Sequence, residues 1–129
     1  MEHVTAVNKN GHLSIGGMDT VALAAKYGTP LYVMDENAIR SNCRALKNSL
    51  DSHYNKNGLV LYASKAFCCK RMYRILSDEG LGADVVSGGE LYTAQFCTQA
   101  RHLPPLLQPN LLPRTGCGLT LSAVANFFC

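Results

Sequence analysis

No two cysteines stand at C-x-x-C spacing, and no histidine lies at a metal-ligand interval from one. The six cysteines, Cys43, Cys68, Cys69, Cys97, Cys117 and Cys129, therefore match none of the usual zinc frameworks. Cys68 and Cys69 are adjacent, which suits neither an ordinary disulfide nor a tetrahedral site. No apolar run is long enough to cross a bilayer, and no secretory signal stands at the start. There is no basic cluster interleaved with aromatics, and a net charge of +3 is too small to argue for nucleic acid or an anionic membrane. These absences lead us to expect a cytoplasmic protein with reduced thiols that binds neither nucleic acid nor membrane. At 129 residues the chain has the size of one ordinary domain. It is too short for a complete eight-stranded α/β barrel, which needs about 250 residues.

A further absence divides the chain. All nine acidic residues lie at or before Glu90, and from Phe96 to Cys129 there is neither Asp nor Glu. That stretch carries only Arg101 and Arg114 as charges, where globular sequence is about a quarter charged. Four of the five prolines fall within it, at Pro104, Pro105, Pro109 and Pro113, among scattered leucines. Neither helical nor alternating periodicity survives there, and a disordered segment would be more polar. Residues 1–95 are thus read as one folded portion, and residues 96–129 as an irregular Pro/Leu-rich tail. Out-of-frame translation, a mis-joined gene model and a genuine proline-rich extension are the explanations for it.

Within residues 1–95 the apolar pattern alternates between strand and helix. Residues 12–15 form a candidate short strand, and residues 18–27 have helical composition, with Asp19 or Thr20 as cap and Gly28 as stop. Thr29 to Met34 reads as a strand. Asp35 then caps a helix to about Leu50, with Ile39, Cys43, Leu46 and Leu50 on its apolar stripe and Arg40, Arg44 and Lys47 off it. Leu59 to Ala63 is apolar on both faces, as a strand in a helix-covered parallel sheet must be. A helix from about Cys68 to Glu79 turns Met72, Ile75 and Leu76 inward and stops at Gly80. Leu81 to Val86 is the next strand, and Ser87 with Glu90 has capping-box spacing for another helix. Successive βα units with short connections specify an α/β fold with a parallel sheet.

Chemistry concentrates at Lys65. It follows the apolar strand and shares the parity of Leu59, Leu61 and Ala63. Ligands of α/β folds sit at the carboxyl ends of strands, where an amine in apolar surroundings can act as a nucleophile toward a carbonyl. The plainer alternative is a lysine reaching solvent. Asp84 stands in an otherwise apolar strand, and a buried carboxylate needs a partner. Pairing with Lys65 would satisfy both, whereas an Asp at a sheet edge would need no partner. Glu90 is explained by its capping box alone or as a second acid near the lysine.

Four segments carry a resemblance: Tyr27 to Asp35, Leu61 to Ala66, Gly80 to Asp84, and Val85 to Leu91. In this order and spacing they resemble the start of the alanine-racemase-like, fold type III, pyridoxal-phosphate-dependent decarboxylases. The T-P-L-Y-V opening favours the diaminopimelate branch over the ornithine branch. The resemblance implies the first three βα units of a pyridoxal-phosphate-binding TIM-type barrel, left incomplete. It implies that Lys65 holds pyridoxal 5'-phosphate as a Schiff base, that Asp84 is the catalytic and cofactor-binding carboxylate near it, and that Glu90 is supporting. The implied reaction converts meso-2,6-diaminopimelate, a small amino-acid substrate, to L-lysine and CO2, in an enzyme that is a homodimer at full length. The family's stacking histidine, phosphate loop, acid on the pyridine nitrogen and partner-donated cysteine belong to later strands and have no counterpart here. The 129-residue chain is therefore expected to be inactive by itself. A racemase or cofactor carrier of the same barrel group, or a short non-catalytic interaction protein, are the other readings.

Overall fold

A computed structural model describes residues 4–97, 106–107 and 122–125. Contacts divide the chain into two units, residues 1–42 and 43–129.

In the first unit, strands β1 (Thr5–Val7), β2 (Leu13–Ile15) and β3 (Met18–Asp19) form an antiparallel sheet in that order. Gly16 and Gly17 join β2 to β3 with φ of 56° and 79°, inside the paired residues Ile15 and Met18. Two successive left-handed residues are what a tight hairpin requires. Asp19 ends β3 and caps helix α1 (Thr20–Tyr27), accepting from the amides of Val21 at 2.8 Å and Ala22 at 3.5 Å. Gly28 closes α1 at φ 80°. The helix expected from Met18 begins two residues later because Met18 and Asp19 pair with β2.

Asp19 also lies 2.9 Å from His12 Nδ1 and accepts from the Asn8 side-chain amide at 2.8 Å. The His12 hydrogen bond, joined by those of Val21, Asn8 and Ala22 and opposed by desolvation, holds its carboxyl down from 3.8 to about 2. Because the folded value is depressed, the stabilisation is complete above about pH 3.8 and is lost as pH falls toward 2. We expect Asp19→Ala to weaken α1 at neutral pH and to flatten the acid limb of the helical signal in circular dichroism. Acid limbs that superimpose would contradict the assignment.

Residues 29–35 form no strand, contrary to expectation, and Tyr32 is 92% exposed. The Thr29–Pro30 peptide is cis. A strand needs a neighbour for its backbone groups, and apolar composition alone does not supply one. Asp35 caps the next helix as expected, accepting from Asn37 N at 2.9 Å and Ala38 N at 3.2 Å. That helix, α2, spans Glu36–His53.

The second unit holds the parallel sheet. Strand β4 (Leu59–Ala63) pairs with β5 (Gly82–Asp84), matching Leu61 to Gly82, Tyr62 to Ala83 and Ala63 to Asp84. Helix α3 (Lys70–Glu79) connects them, and α4 (Gly88–Cys97) follows β5. Val60, Leu61, Tyr62 and Ala63 are all buried, as a strand covered on both faces should be. Met72, Tyr73, Ile75 and Leu76 of α3 complete the core with Cys43, Leu81, Ala83, Val85 and Ala94. Gly80 ends α3 in the left-handed region, its amide bonding back to Leu76 and Ser77. Arg44 is exposed as expected, and Lys47 is half-buried; both also engage the end of α3. Arg44 makes two bonds to the Glu79 carboxylate at 2.7 and 2.8 Å, and Lys47 reaches the Glu79 carbonyl at 3.4 Å.

Most of the tail lies outside the described residues. Its described pieces are residues 96–97, which end α4, and two strands rather than irregular chain, β6 (Leu106–Leu107) and β7 (Ser122–Ala125). The sheet order is β6-β5-β4-β7, all parallel, so both edges of the β4–β5 pair are covered. Among the described residues no helix is long and apolar enough to cross a membrane.

Candidate active site

The carboxyl ends of β4 and β5 lie side by side, because Ala63 is the register partner of Asp84. Ser64, Lys65 and Ala66 follow β4 directly as a single 3-10 turn. Lys65 therefore leaves the strand line one residue after Ala63, and strand parity no longer fixes its direction. It is exposed rather than set in apolar surroundings. Among the described residues no hydrogen bond or ion pair joins it to Asp84.

Asp84 is partly buried, and its Oδ1 is buried without a hydrogen-bond partner among the described residues. Ser64 is fully buried, and its Oγ likewise meets no partner at hydrogen-bonding geometry. Native proteins pair nearly all such atoms; Ser64 Oγ has the Tyr73 phenol as a neighbour, and the Asp84 oxygen stands at the adjoining strand end. Ser64 occupies the variable position of the Y-A-x-K-A segment, and no sequence signal singled it out. Its significance lies in burial, which only the fold reveals.

Glu90 is held in the first turn of α4. Its amide donates to Ser87 Oγ at 3.2 Å, and its carboxylate accepts from Val86 N at 2.8 Å. The capping box is thus displaced by one residue, since the usual reciprocal bond would go to the Ser87 amide. Gly88 and Gly89 are exposed, and a Cβ on either would meet nothing in the chain.

Two buried phenols bracket the lysine turn. Tyr62 Oη donates to the Phe67 carbonyl at 3.2 Å, and burial pushes its pKa up to about 12. Tyr73, on α3, donates to the Glu90 carbonyl at 3.3 Å and lies 3.6 Å from Cys68 Sγ. Burial pushes the Tyr73 phenol well up, so both are donors at any ordinary pH. Cys43 is buried as core, and among the described residues no group of His, Cys, Asp and Glu is fit for a metal ion.

This donor set suits an aldehyde-bearing cofactor. Lys65 offers a primary amine in solvent, and polar atoms of Ser64 and Asp84 lie at the two neighbouring strand ends. Comparison with known proteins agrees. Over 90 residues the chain is 57% identical to the diaminopimelate decarboxylase of Bacillus methanolicus, covering 70% of this chain and 21% of that protein. Its identity to the Bacillus subtilis diaminopimelate decarboxylase is 53% over 87 residues, 67% of this chain and 20% of that one. A crystal structure of the M. jannaschii diaminopimelate decarboxylase in complex with L-lysine superposes with a TM-score of 0.61 at 40% identity. That match covers 73% of this chain and 22% of the other. The chain thus spans about a fifth of the length of the relatives it matches. Residues 36–101 match the family described as pyridoxal-dependent decarboxylase, pyridoxal binding domain, and by this match over half its length the chain belongs to that family.

Proposed function

We propose that the chain carries the lysine-bearing part of the pyridoxal-phosphate site of a diaminopimelate decarboxylase. Residues 1–95 supply this portion of a (β/α)8 barrel; of residues 96–129, Leu106–Leu107 and Ser122–Ala125 add strands to the edges of its sheet. The observation that carries the assignment is the pair of buried, unpartnered atoms, Ser64 Oγ and Asp84 Oδ1, on strand ends that flank an exposed amine. Pyridoxal phosphate, when bound, supplies an electron sink for the carbanion left when an amino acid loses its carboxylate. Lys65 is the residue that would hold it, through its amine. Asp84 would accept a hydrogen bond or cationic partner at its unsatisfied oxygen, fixing what binds beside the lysine. Glu90 supports the site indirectly, because its carboxylate is committed to the Val86 amide at the entry to α4.

The substrate assignment, meso-2,6-diaminopimelate to L-lysine and CO2, follows from the relatives' names and from the opening of residues 29–33. A cytoplasmic location and a homodimer of the full-length enzyme belong to the same proposal. The chain by itself is expected to be inactive, because the segments that complete the family's site have no counterpart in it.

The test is covalent trapping. The purified chain is mixed with pyridoxal phosphate, reduced with borohydride and mapped by peptide mass spectrometry. Label concentrated on Lys65 is expected, with no decarboxylation of diaminopimelate and loss of unreduced cofactor on dialysis. Label spread evenly over the lysines would sink the assignment. The nucleotide sequence around codon 95 tests the tail, since a second frame resuming acidic, periodic βα sequence would identify it as out-of-frame.

A further inference from the structure

Building on the assignment of Lys65 above, we propose that Tyr73 is a positioning residue, whose phenol fastens the turn carrying the lysine to the first turn of α4. Three groups converge on that hydroxyl. It donates to the Glu90 carbonyl at 3.3 Å, lies 3.6 Å from Cys68 Sγ, and has Ser64 as a further neighbour. Ser64 immediately precedes Lys65, and Cys68 follows it by three residues, so the phenol touches both flanks of the lysine.

The other end of the link is firm. Glu90 is bonded through its amide to Ser87 Oγ and through its carboxylate to Val86 N, while Leu91 N bonds the Ser87 carbonyl at 3.0 Å. This locks the start of α4 to the segment leaving β5, which begins at Asp84. The ring is equally constrained, since Tyr73 is 1% exposed. Tyr62, on β4, bonds the Phe67 carbonyl two residues beyond the lysine. Tyr73 reaches across to α4, so it can set the lysine's place relative to the β5 end. The hydroxyl is essential to this role. It satisfies a carbonyl with its proton and offers its lone pairs to thiol or hydroxyl donors, which phenylalanine cannot do.

Trapping with pyridoxal phosphate and borohydride, which fixes the lysine–aldehyde adduct as a secondary amine, reads the effect in the full chain. Tyr73→Phe is expected to lower the share of label on Lys65 about fivefold, the scale of one lost hydrogen bond. The far-UV spectrum should stay unchanged, and Cys68 should react faster with a thiol reagent. An unchanged Lys65 share in Tyr73→Phe overturns the proposal and leaves the Lys65 assignment standing. A parent chain with no preference for Lys65 overturns both. If Tyr73→Phe fails to fold, Ser64→Ala, which removes the neighbour on the lysine side, must lower the share as well. No change there also overturns the proposal.

Discussion

Replacing Lys65 with alanine should remove cofactor label from its peptide entirely and leave only slow, scattered labelling elsewhere. Other amines have different surroundings. Lys26 lies over the Tyr27 ring at 5.0 Å, and Lys47 donates to the Glu79 carbonyl. Lys65 follows the buried Ser64 directly, in the turn that leaves the carboxyl end of β4. A better control is Lys65→Arg, which keeps the positive charge and most of the side-chain volume. A guanidinium stays protonated and does not add to an aldehyde under these conditions, so Lys65→Arg should label as little as Lys65→Ala. Total label equal to that of the parent in both variants would show that some other amine takes the cofactor.

The second large effect concerns the core on which the site stands. Leu76 is 0% exposed on the inner face of α3, and its carbonyl accepts the Gly80 and Leu81 amides that close the helix. Truncating it to alanine removes buried methyl groups and leaves a cavity, at a cost of about 2–5 kcal/mol. A domain of this size is stable by only about 5–15 kcal/mol. Leu76→Ala should therefore shift the denaturant midpoint sharply or unfold the chain outright. Leu46, also a leucine but 37% exposed on α2, supplies the comparison. Its change to alanine should cost about 1 kcal/mol or less. Equal costs at the two positions would mean that the α3 core is not where the stability resides.

The features legible in the sequence were those set by local chemistry. Continuous apolar residues gave β4, and the caps at Asp19, Asp35, Gly28 and Gly80 set the helix boundaries where expected. Residues 12–15 read correctly as the strand β2, and the Gly16–Gly17 turn carries a hairpin signal, but the helical composition of residues 18–27 hides the two-residue strand at Met18–Asp19. Thr29 to Met34 has strand composition, yet composition does not supply a pairing partner. Of the stripe on α2, only Cys43 is buried, because periodicity reports which residues share a face and not how deeply that face sits. Lys65 and Asp84 were visible as a strand-end amine and an acid in an apolar strand. Ser64 and Tyr73 were not, since the importance of each depends on neighbours distant in sequence, such as the Glu90 carbonyl.

The orphaned oxygens of Ser64 and Asp84 have one more effect. An unpaired polar atom shut away from water costs the folded state free energy, which a guest able to satisfy it gives back. Occupancy and foldedness then become a single equilibrium, and the melting temperature should climb with the logarithm of guest concentration once that exceeds the dissociation constant. By the same linkage, how long the molecule lasts in a cell would follow the local supply of whatever it carries.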